Sequence, residues 1–441
     1  MAAVVGSQPA KVPPKALIAV VIGNWLEFYD FIVFTFFALM ISRAFFPPEL
    51  MSGGLSDAEK DLFGLLLALA TFWAGFFTRP LGAAVIGAYG DRAGRKAAMT
   101  LTIMLMALGT AIVALTPSYA VIGIWAPVLL IVGRLIQGFS CGGEVGAATS
   151  YLLEAAPADK RAALTAWQGT SQQFAGVAGT GLGLFLAANL SEAQLYDWGW
   201  RIPFLIGLLI MPVGLYIRQV LPETIEKHET HGSGAAVLAA LFANHWRAIL
   251  LAVLCIVGPT ISTYVSGYMT TYTIKTLKHP ADIGMLVTMV GYIAGIAGVP
   301  IGAWIADRFG YRRSVILPRV IFLLVVMQAY MAITAPGSSV ETLLLVNIGL
   351  NFLLAMSYGG LYVLLTEAFP KAVRSSGLSI AYAIAVTVFG GSTQLIIAWL
   401  IEWLHNPLVP AWYQIGANLL SLLGIVLIAS GRAKHAVPQP A

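Results

Sequence analysis

The chain has 441 residues, of which 59% are hydrophobic and only 10% are Asp, Glu, Lys or Arg. Soluble domains carry about 25% charged residues. At a mean hydropathy of +0.83, an ordinary water-soluble enzyme is therefore excluded, and the apolar surplus needs lipid to face. The net charge of +5 does not point to nucleic acid, because the basic residues fall in short clusters between apolar runs and never form a long basic face.

In chain order, apolar runs cover residues 16–42, 62–90, 97–116, 121–153, 162–190 and 202–217. A polar stretch through Glu223, His231 and Asn244 follows, and then come runs at 248–274, 283–306, 315–334, 343–365, 378–401 and 413–430. Twelve spans of about 20–25 residues would use roughly 240–300 residues, which leaves short loops. With no water in the bilayer core to satisfy backbone groups, each run is expected to be a helix. The first run holds Glu27 and Asp30 and lacks a small-residue cleavage site, so it reads as a mature span and not as a signal-peptide core. Cys141 and Cys255 sit inside apolar stretches, with no disulfide framework and no metal-ligand spacing.

Orientation follows from Lys and Arg. With the N-terminus inside, the inside tails and loops hold 17 of the 25 basic residues, and the outside segments hold only Arg43, Lys60, Arg201, Lys275 and Lys278. The positive-inside rule then places both termini in the cytoplasm. Arg79, Arg134 and Arg319 belong to neither group, because they lie within spans.

The chain also repeats itself. GAYGDRAGRK from Gly87 and AWIADRFGYRR from Ala303 share an Asp-Arg-x-Gly core, and their aspartates, Asp91 and Asp307, are 216 positions apart. Glu154, Pro157 and Arg161 recur as Glu367, Pro370 and Arg374 at an offset of 213. Two motifs in the same order at nearly the same offset imply two six-helix halves related by duplication, with the transport path between them. The expected division is residues 1–218, a cytoplasmic connector 219–245, and residues 246–441.

Over essentially its whole length the sequence resembles the major facilitator superfamily. Gly87 to Lys96 looks like that superfamily's most diagnostic motif, and Arg134-Leu-Ile-Gln137-Gly138 looks like its second. Several further segments are similar to the metabolite:proton symporter family: Gly23-Asn24-Trp-Leu-Glu27-Phe-Tyr-Asp30, Arg79-Pro80-Leu-Gly82, Gly142-Gly143-Glu144, Trp198 to Pro203 and Phe389-Gly390-Gly391. Trp167-Gln168 and Ser171-Gln172-Gln173 look most like its citrate and tricarballylate branch. One departure is Ala303, which stands where the second loop motif has a leading glycine. The resemblance implies an all-α integral membrane protein of twelve transmembrane helices in a bacterial inner membrane, acting as a monomer. It also implies proton-coupled uptake of a small organic acid, with the proton gradient as driving force and no cofactor. Members also move zwitterions such as proline and betaine, which is the second reading.

Arg79 lies about 18 Å before Asp91 along a helix, too deep to reach water easily. A guanidinium there needs a cavity, a carboxylate or a substrate. It reads either as the bidentate contact for a substrate carboxylate or as the partner of Glu27 or Asp30. Those two acids lie about 60° apart on one helix face. Buried carboxylates can take and release a proton near neutral pH, so Asp30 and Glu27 are proton-coupling candidates, with permanent ion pairing as the alternative. Span 4 adds Arg134, which the resemblance links with coupling, and Glu144; they stand about 15 Å apart on a helix and cannot pair directly. Gly138, Gly142 and Gly146 read as close helix packing.

The substrate-binding candidates are Arg79, Asn24, Gln168, Ser171, Gln172, Tyr268, Asn347, Asn351 and Tyr358. Of these, Asn347, Asn351 and Tyr358 form one stripe with Tyr362. Tyr264 and Tyr272 read equally as interface anchors, and Arg319, the basic candidate deep in the second half, as a side chain snorkelling to the cytoplasm, with substrate binding as the alternative. Asp91, Arg92, Arg95, Asp307 and Arg308 read as a gate whose opposed charges latch the halves together. A membrane enzyme is a poor reading, because the six histidines fall in loops or tails and His228 with His231 is only a weak metal spacing. An uncoupled uniporter or exchanger remains the serious competitor.

Overall fold

The computed structural model describes residues 14–50, 54–93, 95–143, 152, 156–157, 159–220, 234–366, 369 and 374–429. Among the described residues, helix is found in each of the twelve apolar runs. Span 1 is Pro14–Phe36 continued by Ala38–Phe45, bent by 67° at Phe37. Span 2 is Asp57–Phe77 continued by Arg79–Ala93, span 3 Arg95–Leu115, span 4 Trp125–Ser140, span 5 Arg161–Asn189 and span 6 Ile202–Val220. Span 7 is Gly234–Lys275, span 8 Ala281–Phe309, span 9 Tyr311–Thr334 and span 10 Val340–Thr366. Span 11 is Arg374–Ala385, a π turn Val386–Gly390 and Gly391–Leu404, and span 12 is Val409–Ala429.

By length and apolar content, seven of the described helices suffice to cross a membrane, or eight with the bent pair of span 1. Spans 3, 4 and 6 have shorter apolar helices, and span 5, at 29 residues, is long enough but too polar. Its polarity has a cause. Gln168 and Ser171 are buried at 1% exposure, and Gln172 and Gln173 face the cavity described below, so this helix turns its polar stripe into the bundle while Trp167, Phe174 and Phe185 are exposed on its other side. The outer helices show the reverse, with Leu209 75%, Leu345 70% and Leu324 67% exposed where only a hydrocarbon neighbour makes sense. Part of the expected connector is helical, because span 7 starts at Gly234 and carries a break at His245 (φ −129°, ψ 16°). Residues 221–233, with His228 and His231, lie outside the described residues.

Within each half the helices lock backbone to backbone. A Cβ on Gly138 would overlap the Gly75 carbonyl, and one on Gly142 would overlap the Arg79 carbonyl, so spans 2 and 4 touch where only glycine fits. Spans 8 and 10, their counterparts in the second half, do the same: Gly302 lies against the Met356 carbonyl and Gly359 against the Ala303 backbone. The duplication read from the loops thus recurs in the packing. Gly146 lies outside the described residues.

Between the halves the same kind of approach meets side chains. Gly176 of span 5 lies against the Tyr292 ring, and Gly183 against Met285. The seam between spans 5 and 8 is closed from Asp307, whose carboxylate accepts from the Ala162 and Ala163 amides at 2.9 and 3.0 Å, to Met285 at the other face. Spans 2 and 11 meet at the π turn. Pro80 has no N–H, which leaves the Phe76 carbonyl without its helix donor; Thr387 Oγ1 donates to it at 3.2 Å, and Trp73 Nε1 donates back to the Thr387 carbonyl at 2.8 Å.

Candidate functional site

A cavity lies between the halves. Spans 1, 2, 5, 7, 8, 10 and 11 all contribute lining side chains. Among the described residues its charged lining is one cation and one acid, Arg79 and Glu27, and the remaining polar lining is neutral, with five tyrosines among it.

Arg79 opens the second segment of span 2, directly after the Thr78 junction that Pro80 imposes. It is 7% exposed. Its guanidinium stacks on Phe31 at 4.5 Å and Phe76 at 4.4 Å, and Glu27 stands off at 3.9 Å. Aromatic faces attract the cation without using its N–H donors, so the fork keeps hydrogen-bonding capacity for a planar anion.

Asp30 has a different environment. It is 2% exposed and does not line the cavity. Thr110 Oγ1 donates to one carboxylate oxygen at 2.7 Å and Gln137 Nε2 to the other at 2.5 Å. Arg134, fully buried, lies 3.9 Å from the same oxygen and donates to Gln137 Oε1 at 2.7 Å. Gln137 therefore bridges the acid and the base. Arg134 also faces Phe31 at 4.9 Å and Phe34 at 4.4 Å, so the Phe31 ring contacts both guanidiniums.

The remaining candidates divide. Arg79, Glu27, Gln172 and Tyr358 come together at the cavity. Asn24 donates to the Gln168 carbonyl at 3.0 Å and to Ser171 Oγ at 2.6 Å, so these three tie span 1 to span 5 behind the wall. Tyr268 is buried in the second half's core. Asn347 and Asn351 line a separate, smaller cavity inside the second half; Asn347 donates to the Val287 carbonyl and Asn351 to Asn347 Oδ1. The stripe of span 10 does exist, but Asn347 and Tyr358 are about 16 Å apart along the helix axis, and only its far end reaches the space between the halves.

Two expectations are corrected. Arg319 does not snorkel: it is 1% exposed and bonds inward to Ser421 Oγ. Tyr264 and Tyr272 are not interface anchors either. Tyr264 lines the cavity and packs on Phe72 and Phe76 at 6.1 and 5.9 Å, and Tyr272 is buried with its hydroxyl on the Pro407 carbonyl. Of the gate residues, Asp307 crosses to span 5 as above, while Arg308 is exposed and stacks near Trp304 and Phe309. Glu144 and the side chains of Asp91, Arg92 and Arg95 lie outside what is described. Sequence reasoning missed Tyr292, Tyr382, Gln173 and Gln394 at the cavity and Phe31 and Phe72 around the arginines. Gln394 carried the signal that exposed Gln172, an amide within an apolar run, and Tyr292 and Tyr382 the signal that exposed Tyr358, whereas phenylalanine in apolar spans carries none.

The Major Facilitator Superfamily model matches residues 31–392. The chain belongs to that superfamily. Among its relatives, the citrate-proton symporter of Klebsiella pneumoniae is 37% identical over 92% of this chain and 90% of its own. The proline/betaine transporter of Escherichia coli K12 is 31% identical over 93% and 82%, and the shikimate transporter of the same strain is 31% identical over 90% and 89%. A D-xylose-proton symporter structure superposes with a TM-score of 0.71 at 19% identity, covering 96% of this chain and 98% of that one. The E. coli xylose transporter in a partially occluded inward-open state gives 0.68 at 17%, covering 94% and 97%. These two show the fold alone, which is twelve helices in two halves. The resemblance read from the loop and span motifs to the metabolite:proton symporters is borne out by the curated relatives.

Proposed function

We propose that the chain is a proton-coupled importer of a small organic acid of the citrate and tricarballylate class, working by alternating access. Halves 1–218 and 246–441 rock about the cavity, joined by the connector 219–245, in a bacterial inner membrane with both termini cytoplasmic. The observation that carries this reading is Arg79: a buried guanidinium at a cavity between the halves, held by ring faces and a carboxylate 3.9 Å away, with its Nε unpartnered among the described residues. A substrate carboxylate fits it better than any group now present. The relatives named citrate-proton symporters support that substrate class.

Asp30, bridged to Arg134 through Gln137, is the proton carrier. When Asp30 is protonated it loses its hold on Arg134, and Phe31 passes the shift to Arg79. Glu27 is the second candidate, acting at the cavity itself. A specific observation favours one other reading: Arg79 and Glu27 side by side also complement a zwitterion, and relatives that transport proline and betaine exist.

The deciding experiment records pH inside proteoliposomes while citrate, tricarballylate, 2-oxoglutarate, shikimate or betaine is added outside. Acidification with a carboxylate and none with betaine supports the reading. Betaine-driven acidification replaces it with the zwitterion reading, and isotope uptake without acidification replaces it with uniport or exchange.

Asp307 is the latch on the cytoplasmic side. Its carboxylate from one half caps the N-terminus of span 5 in the other, where the helix dipole and free amides favour negative charge. A charge at such a site is worth about 1 kcal/mol, so Asp307→Asn is expected to raise the cytoplasm-open population roughly fivefold. The check is the labelling rate of a cysteine placed at buried Thr165 (1% exposed), in a background with Cys141 and Cys255 replaced. An unchanged rate would remove Asp307 from the gate.

A further inference from the structure

The buried charges of the first half pair off, Glu27 with Arg79 and Asp30 with Arg134. In the second half, Arg319 is the one charged side chain buried among the described residues, and it has no ion pair among them. Its place in the fold follows from Pro259. A proline in mid-helix removes the N–H that the carbonyl four residues earlier would accept, here that of Cys255. Ser421 Oγ donates to that carbonyl at 2.6 Å, and Arg319 Nη1 lies 3.5 Å from it while also donating to Ser421 Oγ. A neutral donor would serve as well. Arg319 instead brings a full charge into the membrane and leaves Nε and Nη2 without a hydrogen-bond partner among the described residues, an expensive choice unless an anion comes near.

The anion has a place to be. Ile256, the neighbour of Cys255, lines the central cavity, and so do Pro259, Thr263 and Tyr358. Tyr358 donates from its hydroxyl to the Pro259 carbonyl at 2.8 Å, which closes the wall between Arg319 and the cavity. Arg319 therefore stands behind the part of the lining that span 7 and Tyr358 supply, in the half opposite Glu27 and Arg79.

We propose that Arg319 is a specificity-determining residue that acts without touching the substrate, its unpaired charge drawing anions into the cavity in proportion to their net negative charge. The proposal rests on the carboxylate reading above and sharpens it: Arg79 recognises one carboxylate by contact, and Arg319 rewards further ones through space. A zwitterion, with no net charge, gains little from it. At an effective dielectric of about 20, one charge behind that lining is worth roughly tenfold in affinity per unit of ligand charge.

The test uses tricarballylate and its mono- and diamides, one skeleton carrying three, two and one carboxylates. Dissociation constants come from thermal stabilisation of the full-length protein in detergent. In Arg319→Gln, which keeps a donor and loses the charge, the triacid is expected to weaken at least tenfold more than the diamide. Arg319→Lys is expected to stay within about threefold of the wild type for all three ligands, by the same through-space argument. Ser421→Ala removes a hydrogen bond at the same spot and keeps the charge, so its dependence on ligand charge should match the wild type even if its melting temperature falls. Equal weakening of all three ligands in Arg319→Gln, or a flattened charge dependence in Ser421→Ala, would overturn the proposal and make Arg319 helix glue. If the wild type binds none of the three while betaine stabilises it, the carboxylate reading itself has failed.

Discussion

Arg79→Ala is expected to raise the dissociation constant of the transported acid about 30-fold or more, with a folded and correctly inserted protein. A charge-assisted, two-pronged contact in a site of low dielectric is worth about 2–5 kcal/mol when one partner is cut away, and tenfold in affinity is about 1.4 kcal/mol. Part of any loss would come from Glu27, 3.9 Å away, whose carboxylate would then face the anion without Arg79 beside it. The double variant with Glu27→Gln separates the two effects. If Arg79 binds substrate, the double variant stays weak; if Arg79 only neutralises Glu27, affinity returns. Arg79→Lys should fall between, because it keeps the charge and loses the planar fork. Binding measured by equilibrium dialysis of labelled substrate reads all of these, and an unchanged affinity in Arg79→Ala would place the anion site elsewhere.

Asp30→Asn is expected to abolish accumulation against a gradient while leaving exchange intact. Asparagine fits the space between Thr110 and Gln137 and imitates the protonated acid, so Arg134 is released permanently and no proton is carried. With one proton per substrate, a pH step of one unit supports about tenfold accumulation; the variant should show none. Counterflow in substrate-loaded vesicles without a gradient should proceed within a fewfold of the wild type. Loss of both activities would mean that the Asp30 and Arg134 pair holds the first half together and does not couple. Glu27→Gln is the contrasting case. Because Glu27 lines the cavity beside Arg79, its main effect should fall on affinity.

The spans were legible because a hydrocarbon layer imposes a length and an apolar face, and even span 5 could be found between Arg161 and Asn189 despite its polar stripe. The duplication was legible because Asp91 and Asp307 repeat a loop motif. Partner choice was not. Glu27 and Asp30 share a helix face, yet they choose different arginines, because Arg79 and Arg134 arrive on different helices and Phe31 stands between them. Spacing along one helix contains none of that. Arg319 was misread for a related reason. Its distance from the loop allowed snorkelling, and nothing in its neighbourhood in the sequence announces that Pro259, sixty positions earlier, frees a carbonyl for it. Asn347 and Tyr358 share a stripe but not a cavity, since a helical wheel records angle and discards depth.

The glycine contacts divide the protein into places where natural variation can and cannot act. Gly138, Gly142, Gly302 and Gly359 lie against backbone, which has no way to yield, and a larger residue there removes the molecule from the population. Gly183 lies against the end of Met285, a flexible side chain that can turn aside. A methyl group added there lets the protein assemble and changes how easily one half travels past the other. Lineages adapting to colder or warmer habitats would thus find their adjustments of turnover along spans 5 and 8, without disturbing what is carried.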